Sequence, residues 1–171
     1  MANMIPISTV TVGSGGASSI DFNNIPQIYT DLKLVYSVRN TSSSVNEGMR
    51  VSFNGSTSNF TGLYLDNANG GTPRSGSLAR YAGVEVASNQ TASTFANNEI
   101  YIPNYSGSNN KSFSIDSVTE NNGSATYLTL IPGLWSNTSP ITSISLTLAA
   151  STFAQYSLSL IHISEPTRRY A

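Results

Sequence analysis

Apolar and polar residues alternate with a period of two along most of this chain. The stretch DLKLVYSVR, residues 31 to 39, places Leu32 and Leu34 on one side and Lys33 on the other. MRVSF, residues 49 to 53, repeats the pattern, and the Asn-Gly pair that follows is typical of a tight turn. Such alternation predicts strands with one buried face and one polar face.

Further strands are predicted from the same pattern near residues 5–12, 18–22, 61–65, 78–87, 98–102, 112–119, 125–131 and 141–148, about ten in all. Segments rich in Gly, Asn and Ser separate them, at residues 13–16, 67–71, 104–110 and 120–123. No segment keeps a helical period. The chain is therefore expected to form one all-β domain over residues 1–157, an antiparallel β-sandwich resembling a jelly roll.

The last fourteen residues, LSLIHISEPTRRYA, differ from the rest in composition. Leu158 to Arg168 resemble, codon for codon, the translation of a transposase-based sequencing adapter. The alternative is an edge strand with a polar tail, since LSLIHI alternates. We expect residues 158–171 to be adapter-derived and give no functional weight to His162, Glu165, Arg168 or Arg169.

A truncated domain follows from that interpretation. The natural sequence of the domain is expected to end near Ser157 in this chain, so a strand beginning around Phe153 would lack its continuation. Its partner strand would then present an open edge. If LSLIHI lies in a sheet, we expect it to occupy the slot of the missing native strand.

Composition narrows the function classes. Only 10% of the residues are charged; without two Arg and one Glu of the last segment, six basic residues face eight acidic ones, giving −2. This weak balance argues against nucleic acid as a partner. No apolar run reaches the roughly 20 residues of a membrane-spanning helix, and no secretory signal is evident. The absence of Cys excludes disulfides and thiolate metal sites.

Candidates for chemistry are few. The single His lies in the last segment, so a His-based triad or metal site is not expected. Glu85 and Glu99, on neighbouring predicted strands, are the least arbitrary pair for glycoside hydrolysis, although a solvated strand face fits them better. Residues 66–71, DNANGG, faintly resemble a calcium loop but lack two oxygen ligands, which favours a turn. We predict no catalytic residues, cofactor or metal, and no enzymatic activity.

Five aromatic residues are candidates for contact with a ligand or partner, because exposed rings can stack on sugars. They are Tyr64, Tyr81, Tyr101, Tyr105 and Trp135. Trp135 follows LTLIPGL, which favours packing in the core or in an interface. Tyr101 and Tyr105 adjoin the polar segment 104–110 and are the better candidates for surface contact.

A motif points beyond the fold class. Residues 22–34 contain F-x-x-IP-x-x-YTDL-x-L, and GLW at 133–135 is followed by PITSI at 140–144. In these features the chain resembles bacteriophage virion proteins from environmental genomes, loosely over residues 18–157. The motif also has a structural interpretation: Pro26 starts a turn, Asp31 bonds backbone amides at a strand entrance, and Leu32 and Leu34 face the core.

The resemblance implies a non-enzymatic structural protein of the virion. An exposed tail-fibre, tail-tip or adhesin-type module is expected, with other virion proteins or copies of itself as partners. Two alternatives remain: a lectin-like module that binds host-surface glycan, which predicts a groove of exposed aromatics with polar partners, and a capsid decoration protein.

Overall fold

A computed structural model describes residues 4–43, 47–122 and 126–164. These residues form eleven strands: β1 (Met4–Thr11), β2 (Ser19–Phe22), β3 (Asp31–Val38), β4 (Arg50–Phe53), β5 (Phe60–Ala68), β6 (Arg74–Ser77), β7 (Ala96–Ile102), β8 (Lys111–Thr119), β9 (Tyr127–Trp135), β10 (Ile144–Thr147) and β11 (Leu158–Ser164). Within this described part, no helix could cross a bilayer.

The strands form two antiparallel sheets. The large sheet has eight strands in the order β1-β11-β3-β7-β8-β9-β5-β6, and the small sheet has three, in the order β2-β10-β4. The all-β, sandwich-like architecture predicted from the sequence is confirmed. A jelly roll divides eight strands between its two sheets, whereas this fold has eight strands in one sheet and three in the other.

The core lies between the sheets, and the alternation of single strands explains it. In β8 every second residue is buried, and in β3 Leu32, Leu34, Tyr36 and Val38 are buried. An aromatic cluster joins the sheets: Phe53 of the small sheet lies 5.4 to 5.6 Å, between ring centroids, from Phe60, Phe113 and Trp135 of the large one. Core packing of Trp135, favoured by the sequence, is thereby confirmed.

The strand predicted over residues 78–87 is wrong. Residues 81–87 are all buried, but they run as an irregular segment beside the small sheet. Arg80 and Gly83 have φ of 63° and 99°, which interrupts any extended run. The backbone N–H of Ala82 donates to Met49 O, and Asn40 N–H donates to Val86 O, so the segment is satisfied without a ladder.

Two tight Asn-Gly turns reverse or redirect the chain between strands. Asn69 and Gly70 have φ of 56° and 66° and close the β5–β6 hairpin. Asn54 and Gly55, with φ of 53° and 70°, also form a tight turn. That second turn leads the chain from β4 in the small sheet to β5 in the large one. It is therefore a crossover between sheets rather than a hairpin.

The YTDL motif has the structural role that the sequence predicted. Asp31 accepts hydrogen bonds from Asn104 N–H at 3.1 Å and from the Tyr101 hydroxyl at 2.7 Å. The carbonyl of Pro26 accepts a hydrogen bond from the hydroxyl of Tyr105. The motif thus connects the entrance of β3 to the loop between β7 and β8.

Strand β11 lies inside the large sheet, between β1 and β3, and pairs with both. LSLIHI thus lies in a sheet, at an internal position and not at the edge that the alternative interpretation gave it. Its identity as a substitute for a native strand stays a prediction. The strand leaves no edge open at β3, because its register covers Asp31 to Ser37. Residues 165–171, and position 125 where one predicted strand begins, lie outside the described residues.

Candidate functional site

The two carboxylates weighed for hydrolysis do not form a pair. Glu85 is buried in the irregular segment and accepts hydrogen bonds from the Glu47 backbone N–H and, at 3.3 Å, from the Asn40 side-chain amide. Glu99 lies half-exposed on β7 and forms a 2.7 Å ion pair with Lys33. Glu99 alternates with the buried Asn98 and Ile100 and so lies on the outer face of β7, whereas Glu85 is buried in the core, so no two-carboxylate arrangement is assembled from them. The solvated strand face favoured for both residues is therefore wrong for Glu85.

The turn favoured for residues 66–71 is confirmed: residues 66–68 end β5, and Asn69 and Gly70 form the turn. Asp66 is buried, and its two oxygens accept hydrogen bonds of 2.8 and 2.9 Å from the Arg74 guanidinium. Among the described residues, no group of three or more His, Cys, Asp or Glu side chains could hold a metal ion.

The five candidate aromatics occupy different environments. Trp135, Tyr81 and Tyr105 are buried, with 1%, 4% and 0% exposure, so surface contact at Tyr105 is wrong. Tyr105 is buried because it closes on the YTDL motif, and burial raises the pKa of its hydroxyl to about 12. Tyr101 is exposed, but its hydroxyl donates to Asp31, and this hydrogen bond raises the pKa of Tyr101. Tyr64 is half-buried.

Tyr64 and Tyr81 are the pair that the fold brings together. Their ring centroids lie 5.8 Å apart in an edge-to-face arrangement. They line a cavity of about 180 Å³, called here the tyrosine cleft, with Glu47, Gly48, Arg50, Asp66, Arg74 and Leu78. Two tyrosines, two carboxylates and two guanidinium groups thus converge on one small opening.

Electrostatics in the tyrosine cleft are balanced. The Asp66–Arg74 pair is bidentate, an arrangement that fixes both groups in one plane. The hydrogen bond to Asp66 is the main cause of the raised pKa of Arg74. Arg74 is more than half exposed, and its Nη1 group is not used by Asp66. The cleft therefore presents donors and a ring edge without net charge.

A second surface was not singled out by sequence reasoning. Nine large hydrophobic side chains of the described residues are exposed, and five of them lie on the outer face of β5, β8 and β9. We call this surface the leucine face; it comprises Leu63, Leu65, Val118, Leu128 and Leu130. Alternation alone could have suggested it, because both faces of β9 carry apolar residues.

The registers place these side chains side by side. Leu65 lies opposite Leu130, and Leu128 lies opposite Val118 on the next strand. Ser75 and Ser77 of β6 lie beside Leu65 and Leu63 and form one margin. The face is thus a continuous apolar stripe with hydroxyl groups along its edge, and not a set of isolated leucines.

Two depressions interrupt the leucine face. They measure about 450 and 390 Å³ and share Leu63 and Pro132. Gly62 and Gly133 line the larger one, where β5 and β9 lie opposite each other. The Phe113 ring lies so close to Gly133 that a side chain at this position would collide with it. The absent side chain of Gly133 would therefore point into the core, while the two depressions lie along Pro132 on the outer face.

The exposed area is large enough to matter energetically. Leu63, Leu65, Leu128 and Leu130 are 47 to 60% exposed. Covering them would contribute about 3–6 kcal/mol, half of the value for burying four leucines fully. Association of two proteins costs about 4–15 kcal/mol in lost freedom. A stable partner must therefore bring apolar surface of its own.

Comparisons with protein-family models, with curated proteins and with solved structures find no match for this chain. The two surfaces are accordingly interpreted from their own chemistry.

Proposed function

We propose that this chain is a non-enzymatic structural module of a bacteriophage particle, at an exposed tail-fibre, tail-tip or adhesin-type position in the virion. The observation that carries the proposal is the leucine face. A module that assembles with other virion proteins needs a preformed apolar surface, and the outer face of β5 and β9 supplies one, with Asp116 of β8 at its border.

The resemblance of residues 22–34 to virion proteins supports the same role. In this chain the motif acts through hydrogen bonds of Asp31 and Pro26 that order the β3 entrance, and not through an exposed ligand group. A motif that orders the backbone and offers no ligand group suits a module with a structural function. A capsid decoration protein would use the same properties, and the location in the particle distinguishes the two.

The experiment is to look for the chain in particles. Phage particles that carry this gene are purified on a density gradient and digested, and peptides from residues 18–157 are sought by mass spectrometry. We expect these peptides to co-sediment with a major capsid protein. Immunogold labelling then places the chain on tails or capsids. Peptides found only in infected-cell lysate, and absent from intact particles, would overturn the proposal.

A lectin-like function is the second candidate, and the tyrosine cleft favours it. Sugar recognition combines an aromatic ring with a few fixed polar groups, and Tyr64 and Tyr81 lie beside the Asp66–Arg74 pair. A cavity of about 180 Å³ suits one sugar ring and is small for a larger ligand. Both functions can coexist, because the cleft lines the inner side of β5 and the leucine face its outer side.

Glycan binding is tested with a glycan array and with Arg74→Gln. This substitution removes the guanidinium but leaves both tyrosines, so we expect any signal to fall at least about tenfold. Lys33→Gln, which removes an ion-paired cation outside the cleft, is the matched control. Absence of binding to every glycan, or equal loss in both variants, would eliminate the cleft as a glycan site.

A further inference from the structure

We propose that the leucine face binds a second copy of this chain, face to face about a two-fold axis. The proposal rests on the assembly role proposed above and names the partner for it. The occupant is inferred from the area, the charge and the relief of the face.

Area comes first. A strand of nine residues, as in β5, β8 and β9, is about 30 Å long. The three strands of the leucine face span roughly 14 Å at about 4.8 Å spacing. A partner resting on them covers on the order of 430 Å², about half of the roughly 800 Å² that each member of a standard-size complex buries. The leucine face is thus wide enough for a weak, concentration-dependent dimer.

Charge decides what kind of partner fits. Leu63, Leu65, Leu128 and Leu130 stand together with Pro132, and the neighbouring β6 positions are serines. Asp116, opposite Leu130 on β8, is the charged residue nearest to the stripe in the strand register. Asp116 is exposed at this β8 border, and Glu99 with its partner Lys33 lies beyond it on β7 and β3. The part of the face on β5 and β9 carries apolar groups alone, and an identical apolar surface matches that part directly.

The chain itself contains the complementary surface. The energetic comparison above requires a partner with comparable apolar area, and a second copy doubles the number of leucines covered. The other exposed large hydrophobics of the described residues are Ile28, Tyr101, Tyr156 and Leu158, which do not form part of this stripe. Within the described chain, the best complement of the leucine face is therefore the leucine face.

The shape of the leucine face also fits contact with a second copy of the same face. In a two-fold arrangement the same patch serves both subunits, so each raised residue needs a hollow on the same face. Leu128 and Leu130, which line neither depression, provide the raised positions, and the two depressions along Pro132 provide the hollows. Sheets packed face to face lie about 10 Å apart, a distance that interdigitated leucines fill.

The first test is sedimentation equilibrium of the purified full chain at concentrations from about 1 to 200 µM, the range for an interface of marginal area. We expect twice the monomer mass of 18.1 kDa at the upper end. The double variant Leu65→Ser/Leu130→Ser is expected to weaken dimerisation at least about 100-fold. Ile28→Ser, which changes a 76% exposed residue outside the face, is the matched control and should leave dimerisation unchanged.

A second measurement uses the absence of cysteine from the chain. Leu130→Cys introduces a single thiol near the middle of the face, and Ile28→Cys introduces one elsewhere. Mild oxidation should cross-link the first variant into dimers several-fold faster than the second. A chain that stays monomeric at 200 µM and cross-links at equal rates in both variants would overturn the dimer.

These outcomes separate the dimer from the assembly role. If the chain is monomeric but is present in purified particles, the second copy is wrong and the virion role stands. If the chain dimerises through the leucine face but is absent from particles, the dimer stands and the virion role fails. Equal dimerisation of the double Ser variant and the native chain would show that another surface mediates self-association.

Discussion

Glu85 is a carboxylate in an unfavourable place. Its side chain is 1% exposed, and burial raises its pKa from 4.5 to about 7. Hydrogen bonds from Glu47 N–H and Asn40 oppose that rise, whereas the nearby Glu47 charge adds to it. One carboxylate oxygen, Oε2, is buried without a hydrogen-bond partner among the described residues. Near neutral pH this residue is poised between its charged and neutral forms.

The sign of the pH dependence follows from the raised pKa. Below pH 4.5 the carboxyl is protonated in both the folded and unfolded states. Between pH 4.5 and 7 the unfolded state loses its proton first, so the free energy of unfolding falls, by up to about 3 kcal/mol in all. Glu85→Gln removes this loss. We expect the variant to be about 1–3 kcal/mol more stable than the native chain at pH 8 and equal to it at pH 4.

Urea unfolding at pH values from 4 to 8 measures the effect. Glu99→Gln is the matched control, because Glu99 is a half-exposed carboxylate whose surface ion pair contributes little. Parallel stability curves for the native chain and Glu85→Gln across this range would contradict the assignment of a raised pKa to Glu85.

The candidate site shows what sequence can predict at this scale. Tyr101 and Tyr105 both adjoin a polar loop, yet the first is exposed and the second is buried. Their difference depends on the loop closing over Pro26, a contact 79 residues away. Tyr64 and Tyr81 meet in the tyrosine cleft because the irregular segment 81–87 carries Tyr81 to β5; their role as contact residues stays a prediction. The local pattern of apolar and polar residues does not show which residues distant in sequence come close together in the fold.

The buried face of strand β11 carries both apolar and polar residues. Ile161 and Ile163 are buried in the core, as the neighbouring strands require. Ser159 is also fully buried, opposite Tyr36 of β3 and Val10 of β1, and its hydroxyl has no hydrogen-bond partner among the described residues. A polar atom therefore occupies a position where the sheet favours an apolar one.

Ser159→Ala should therefore stabilise the protein. Removing an unsatisfied buried hydroxyl is expected to add about 1 kcal/mol and to raise Tm by about 2–4 °C. Ser157→Ala is the matched control with the opposite sign, because the Ser157 hydroxyl accepts a 3.1 Å hydrogen bond from Arg39 N–H and donates one of 3.3 Å to Arg39 O. Differential scanning calorimetry measures both shifts. A fall in Tm for Ser159→Ala would show that its hydroxyl is satisfied in solution.

Strands were predictable where one face is buried and the other is wet. The predicted strands 98–102 and 112–119 lie within β7 and β8 because each alternates strictly. The strand predicted over residues 78–87 is wrong because its apolar part is buried on all sides. An apolar run of this kind does not show whether the backbone is extended or irregular. β6 was missed for the reverse reason: its sequence, RSGS, is polar on both faces, and it pairs with β5 through the Asn-Gly hairpin. The period of the hydrophobic pattern shows which residues are buried. It predicts a strand only where one face of the segment is buried and the other is exposed.

At the scale of the whole molecule, the two sheets share one core, which predicts cooperative unfolding. Trp135, the single tryptophan, is 1% exposed and packs against Phe53 of the small sheet at 5.6 Å between ring centroids. Its fluorescence therefore reports the contact between sheets, whereas far-UV circular dichroism reports strand content throughout. We expect both signals to change in one transition with the same urea midpoint.

Phe53→Leu tests this prediction further, because it removes one ring from the aromatic cluster between the sheets without changing any residue of the large sheet. It should lower stability by about 1–3 kcal/mol and move both midpoints together. If circular dichroism is lost first while Trp135 stays protected, β1 and β11 unfold as a separate unit at the far end of the large sheet. If fluorescence changes first, the small sheet detaches while the large sheet persists. Coincident transitions in both proteins are the result that a single shared core requires.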